Sequence, residues 1–154
     1  MRWSKVKKLV EDSFADSIKG RIKIFSTEYC RSALLGRAWI TVDGEEVAEA
    51  QELRAWFEEN PEFLYGADNA SKRLNDSRYL LKPNELGKID FVQSCWEYLH
   101  QSLNDSLNSN NPLINALAIL NGKVGKNRLK RFKDEGKFTH PLPNNFIQFR
   151  LENL

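Results

Sequence analysis

Residues 20–44, GRIKIFSTEYCRSALLGRAWITVDG, decide the fold. Both arms of this stretch alternate with period two, the mark of a strand whose faces differ, so a β-hairpin is predicted from Gly20 to Asp43. Ile22 and Ile24 share one face, as do Ala38, Ile40 and Val42 on the second arm. The other face is mixed: Arg21, Lys23, Phe25, Thr27 and Tyr29 beside Arg37, Trp39 and Thr41. Neither face is plainly solvent, so packing is expected on both sides. The Asp43-Gly44 pair is a tight-turn signal that returns the chain beside its predecessor. The next stretch, E-V-A-E-A-Q-E-L-R-A-W-F-E-E-N, reads two ways, because Glu and Ala are strong helix formers. We expect a short strand from Glu45, then a helix ending near Asn60-Pro61, with Val47, Leu53, Trp56 and Phe57 on one helical side. Whether 45–60 starts as strand or helix stays open at this point.

Outside the hairpin the periodicity is helical. Trp3, Val6, Val10 and Phe14 predict an amphipathic helix over Trp3 to Ala15. Its polar side mixes Lys5, Lys7 and Lys8 with Glu11 and Asp12, the pattern of a solvated face. The stretch Tyr65 to Pro83 is rich in Asn, Asp, Ser and Gly and reads as a loop, with a short strand at Tyr79 to Leu81. Ile89, Val92, Trp96, Leu99, Leu103 and Leu107 then predict one long helix with that stripe buried. Asn108 to Asn111 break it. Asn111 as N-cap and Pro112 at the first position start a second helix, apolar nearly all round and therefore central. Gly122 ends it, Gly125 marks a turn, and K-N-R-L-K-R-F-K-D-E forms a short basic helix stopped at Gly136. Pro141 and Pro143 are expected in a loop before a last short element, F-I-Q-F-R-L. The fold class is α+β: one domain over 1–154, with a small antiparallel sheet built on a central β-hairpin and packed by about five helices.

The composition is 41% hydrophobic and 29% charged over 154 residues, which is globular. A net charge of +2 favours no partner class. Its distribution is more informative. Glu45 to Glu62 carries a net −6 and Lys123 to Lys137 a net +5, enough for the two to face each other or to meet different partners. The N-terminus lacks the apolar core of a signal peptide, and no run approaches the ~18 apolar residues of a membrane span, so a cytoplasmic location without membrane attachment is expected. Cys30 and Cys95 are far apart, which is neither a disulfide framework nor a metal spacing. His100 and His140 have no ligand-like companions. Gly122-Lys-Val-Gly125-Lys lacks the spacing of a phosphate loop. No catalytic residue, metal or cofactor is expected, and the reading leans away from an enzyme.

Two binding surfaces remain. The first is the mixed hairpin face, where Phe25, Tyr29 and Trp39 interleave with Arg21 and Arg37. Aromatics that stack bases, set among cations that meet phosphates, suit a sheet reader of single-stranded nucleic acid. The favoured alternative is that a helix covers this face while the cations reach its rim. The second surface is the basic helix 126–133, with Lys126, Arg128, Lys130 and Arg131 outward and Leu129 and Phe132 as anchors. A glycine turn between two helices, the second basic, has the order of a helix-turn-helix. Such a helix also docks an acidic protein, or balances the Glu-rich run within the fold. The leading expectation is a non-enzymatic macromolecule-binding protein with a protein partner; the alternative is a nucleic-acid binder using the basic helix and the hairpin face.

Three stretches also carry a resemblance: WSKVKKLVEDSFADSIKGRIKI at Trp3 to Ile24, GRAWITVDGEE at Gly36 to Glu46, and NPLINALAILNGKVGKNRL at Asn111 to Leu129. In these the chain resembles a small family of hypothetical bacterial cytoplasmic proteins. That resemblance implies an immunity- or accessory-type role and no particular chemistry.

Overall fold

The computed structural model describes residues 1–27, 36–52 and 76–154. They form a three-stranded antiparallel sheet and six helices, as the α+β reading expects. The chain groups into two compact units, Met1–Ile22 with Gln93–Leu154, and Lys23–Val92.

The sheet holds β1 (Ile22–Ser26), β2 (Arg37–Val42) and β3 (Glu45–Gln51) in the order β1-β2-β3. Val42 pairs with Glu45 across a two-residue turn. Asp43 and Gly44 both take positive φ, 51° and 85°. That is the mirror-image turn whose twist matches the strands, and Asp and Gly are the residues that tolerate it. Ile40 faces Ala48 and Thr41 faces Glu46, so Val47 is an extra residue, a β-bulge. The segment after Val42 therefore starts as strand. Val47, grouped with Leu53, Trp56 and Phe57 on the sequence, belongs to this strand, and the helix expected after it lies outside the described residues. Ile22, Ile24, Ala38 and Ile40 are buried, as the period-two pattern predicts; Val42, at the turn end, is half exposed. Residues 80–86 line the outer edge of β3: Leu80 N–H donates to Val47 O at 2.7 Å, Glu49 N–H to Leu81 O at 3.0 Å and Gln51 N–H to Leu86 O at 3.1 Å. The strand expected at Tyr79 to Leu81 reduces to one parallel bridge, Leu81 with Ala48.

In the other unit α1 (Trp3–Asp12) turns Val6 and Val10 inward, and Phe14 comes next, 2% exposed. The chain then meets the end of α4 (Pro112–Leu120): Ala15 N–H donates to Leu120 O at 2.9 Å and Gly122 N–H to Ser13 O at 3.0 Å. A Cβ on Gly122 would stand 3.3 Å from Ala15 Cα, a tight approach that a larger residue could take only if the Ala15 backbone gave by a few tenths of an ångström. Helix α4 begins as expected: Asn111 Oδ1 accepts from Leu113 N–H at 2.9 Å and Ile114 N–H at 3.3 Å, with Pro112 at the first position. Every residue from Leu113 to Leu120 is buried. Helix α5 (Lys126–Glu135) ends on Gly136 in the left-handed conformation, φ 59°. Helix α6 spans Pro141–Glu152.

Two sequence expectations fail here for physical reasons. The long helix breaks. It divides into α2 (Lys88–His100) and α3 (Leu103–Leu107), because Ser102 Oγ accepts from Asp105 N–H at 3.0 Å and caps a new start. The buried stripe of α2 is also rotated. Phe91, Ser94, Cys95 and Tyr98 are buried, while Ile89 is 46% and Trp96 40% exposed. Small Ser94 and Cys95 allow close packing between two aromatics. The Tyr98 hydroxyl finds partners, Ser13 Oγ at 2.7 Å and Asn121 Nδ2, which donates at 2.8 Å, as a buried tyrosine requires. Trp96 stacks on His100 instead, 4.0 Å between centroids. Nor are Pro141 and Pro143 in a loop. They occupy the first turn of α6, where a missing N–H costs nothing. His140 Nδ1 caps the helix by accepting from Leu142 N–H at 3.0 Å.

This rotation sets an expected outcome. Phe91→Ala should cost about 3–5 kcal/mol and Trp96→Ala under about 1 kcal/mol, by urea denaturation. Equal losses, or the reverse order, would show that the phase of α2 is misassigned.

Candidate functional site

The residues singled out on the sequence fall into three places. On the sheet, Phe25 and Trp39 are half-buried and stack on each other, 5.0 Å between centroids and 17° between planes. Arg37, 8% exposed, lies 4.1 Å over the Trp39 ring and bonds Glu46 and Glu49 of β3. Its charge is spent on two carboxylates inside the sheet. The same region holds buried polar atoms without hydrogen-bond partners: Thr27 Oγ1, Glu49 Oε1 and the Gln51 side-chain nitrogen. Tyr29 lies outside the described residues. Each of the two rings keeps one face against the other, which takes that face from base stacking.

Arg21 stands apart from that arrangement. It precedes β1, donates to Asn153 Oδ1 at 2.7 Å and covers the Phe149 ring at 4.9 Å. Its role there is to tie the entry of the strand to the end of α6.

The third place is α5, the strongest candidate. Leu129 and Phe132 are buried at 0% and 4%, the anchors expected from the sequence. Phe132 packs edge-on to Phe138, centroids 5.8 Å apart. With those two positions inward, Lys126, Lys130 and Arg131 are exposed and Arg128 is half-buried. Arg128 donates to Asn104 Oδ1 at 3.1 Å and Lys133 to Gln148 Oε1 at 2.9 Å, both neutral acceptors. Among the described residues, no carboxylate forms an ion pair with Lys123, Lys126, Arg128, Lys130, Arg131 or Lys133. Helix α1 differs: Lys7 pairs with Glu11 at 2.9 Å and Lys8 with Asp12 at 2.7 Å. Two of the three lysines of the first helix are thus paired; no cation of the fifth is, among the described residues. Gly125 opens α5 with no side-chain cap, so its first backbone N–H groups add positive potential to the same end.

What holds this helix in place was missed on the sequence. Arg150 of α6 is 4% exposed and reaches across the α4–α5 turn. It donates from Nη1 to Ile119 O at 2.6 Å and Asn121 O at 3.0 Å, and from Nη2 to Val124 O at 2.8 Å. Burial pulls its pKa below the ordinary arginine value, though a guanidinium stays charged. The signal was present: Phe146, Ile147 and Arg150 share one helical side, which places a cation on an apolar face.

Nucleophilic chemistry finds little support. Cys95 is fully buried, and burial pushes its thiol far above the ordinary range. Cys30 lies outside the described residues. Among the described residues no group of three or more His, Cys, Asp or Glu is placed to hold a metal, and no helix is long and apolar enough to cross a membrane.

Residues 2–151 match the family model described as the SF0329 protein family. No curated protein and no solved structure matches the chain.

This geometry sets two expected outcomes. Arg150→Met leaves three carbonyls without their donor and should cost about 3–5 kcal/mol in chemical denaturation; a loss under about 1 kcal/mol would show that the guanidinium does not hold the turn. In a Cys30→Ser background, Cys95 should react with an aromatic disulfide reagent only as fast as the protein opens. Immediate stoichiometric labelling of the native protein would contradict its burial.

Proposed function

The chain belongs to the SF0329 protein family, and we propose that it is a non-enzymatic binding protein whose contact surface is the cation face of α5, offered to an acidic protein partner. The observation that carries this reading is the unneutralised set Lys126, Arg128, Lys130 and Arg131 on a helix fixed from behind by Leu129 and Phe132. Exposed like charges repel one another, and among the described residues no carboxylate makes an ion pair with these four, although Asp134 and Glu135 stand one turn on from Lys130 and Arg131 in the same helix. A partner's carboxylates would pair with the four cations. In the Glu-rich run, Glu46 and Glu49 are bonded to Arg37 and Glu52 accepts from the Ile89 N–H at 2.8 Å; Glu58, Glu59 and Glu62 lie outside the described residues. The cytoplasm is the compartment we favour; Cys95 is a free, buried thiol.

Nucleic acid is the second reading, favoured by one observation. A fully buried helix, a short turn and an exposed basic helix come in the order of a helix-turn-helix. Asn127 and Arg131 are both exposed on the second helix.

Fluorescence anisotropy with two probes separates the readings: a labelled poly-glutamate peptide and a random-sequence DNA duplex. The expected result is saturable binding of the acidic peptide, lost or weakened at least tenfold in the Lys130→Gln/Arg131→Gln double variant. Preference for DNA, with an affinity that falls steeply with salt and a slope reduced by roughly one unit per lost contact in that variant, would select the second reading. Binding of neither probe, or equal binding by the variant, would remove α5 as the contact surface.

A further inference from the structure

Beyond the α5 surface, the ends of three helices gather around a cleft of about 450 Å³. We propose that this cleft is a binding site for a small anionic molecule carrying a phosphate or carboxylate group. The volume lies within the range of ordinary ligand sites. Its polar lining comes from Asn108, Ser109, Asn110, Lys137, Thr139 and His140, and among the described residues no Asp or Glu lines it.

Hydrogen-bond bookkeeping makes this lining a set of donors. Lys137 Nζ donates to Asn108 Oδ1 at 2.8 Å, which leaves the Asn108 amide nitrogen to donate elsewhere. Ser109 Oγ accepts from Asn111 N–H at 3.1 Å, so its own proton is available. His140 Nδ1 accepts from Leu142 N–H, which fixes the ring at the mouth of α6. Thr139 and Asn110 are exposed and add a hydroxyl and an amide.

Pro112 at the start of α4 and His140 and Pro143 at the start of α6 also line the cleft. The first-turn N–H groups there are missing at the prolines or already bonded to Asn111 and His140, so the side chains supply the donors. The walls are already fixed. Asn115 Nδ2 donates to the carbonyls of Ser106 and Ser109, both at 2.9 Å, and Asn144 Nδ2 to that of Phe138 at 2.7 Å. Phe138 and the two prolines offer an apolar surface for the rest of a small ligand. An ammonium with amide and hydroxyl donors, and no carboxylate among the described lining residues, favours an anion over a cation or a neutral sugar.

The test is an NMR titration of amide resonances of the full chain at constant ionic strength. The probes are inorganic phosphate, acetate and, as a neutral control, xylose. The proposal expects saturable shifts at residues 108–110 and 137–140 with at least one anion and none with xylose. Response to phosphate alone points to a phosphate ester, to acetate alone to a carboxylate, and to both to an anion recognised by charge. Lys137→Gln and Asn110→Ala, both at exposed positions, should each weaken binding about fivefold or more. The Lys130→Gln/Arg131→Gln variant should bind as the parent does, which separates this cleft from α5. Non-saturating shifts, an equal response to xylose, or unchanged affinity in both cleft variants would overturn the proposal.

Discussion

One guanidinium organises the C-terminal half of this protein. Arg150 comes from the last helix and satisfies carbonyls at the end of α4 and in the turn beyond it. The end of a helix carries partial negative charge and unsatisfied carbonyl groups, so a cation there answers both needs at once. Leaving water costs the guanidinium several kcal/mol. That cost is offset only because three acceptors meet it in a planar fork, a geometry a lysine ammonium cannot reproduce. The direction of α5, and with it the placement of its cations, depends on this turn. So does the approach of the N-terminal segment, since Gly122 in the same turn lies against Ala15.

Three treatments of a basic side chain stand out among the described residues. Lys7 and Lys8 have acids one turn away on the same helix. Arg37 and Arg150 are buried and consumed, one by carboxylates and one by carbonyls. The cations of α5 have neither arrangement. Exposed ion pairs are worth little, typically ~0–1 kcal/mol, so their absence costs the fold almost nothing. What it changes is the field in front of the helix, which steers an oppositely charged molecule toward it.

Local chemistry was legible in the sequence. Asp43-Gly44 specifies its turn because few other residue pairs accept positive φ twice, and Asn111-Pro112 specifies a helix start by capping and by a fixed φ. The two inward positions of α5 were legible because only Leu129 and Phe132 are apolar in a polar helix. The phase of α2 was not. Its sequence offers two apolar stripes, and the choice between them rests on Ser13 and Asn121, partners of Tyr98 that lie 85 and 23 residues away. Arg37 looked like a surface cation because the bulge and register that bring Glu46 and Glu49 to it belong to a neighbouring strand. The cleft was illegible for the same reason: Asn108 to Asn111 read as a helix breaker, and only the folded chain brings Lys137 and His140 beside them.

The division of the chain has a consequence for its birth on the ribosome. The unit Lys23–Val92 is one continuous stretch, whereas the other is assembled from Met1–Ile22 and Gln93–Leu154. Synthesis proceeds from the N-terminus, and segments fold as their partners emerge. Helix α1 emerges before its partners: Arg21 waits 132 residues for Asn153, and Ser13 waits 85 for Tyr98. The hydrogen bonds that join α1's segment to the later part of its unit therefore form only after the whole of the Lys23–Val92 stretch has been made.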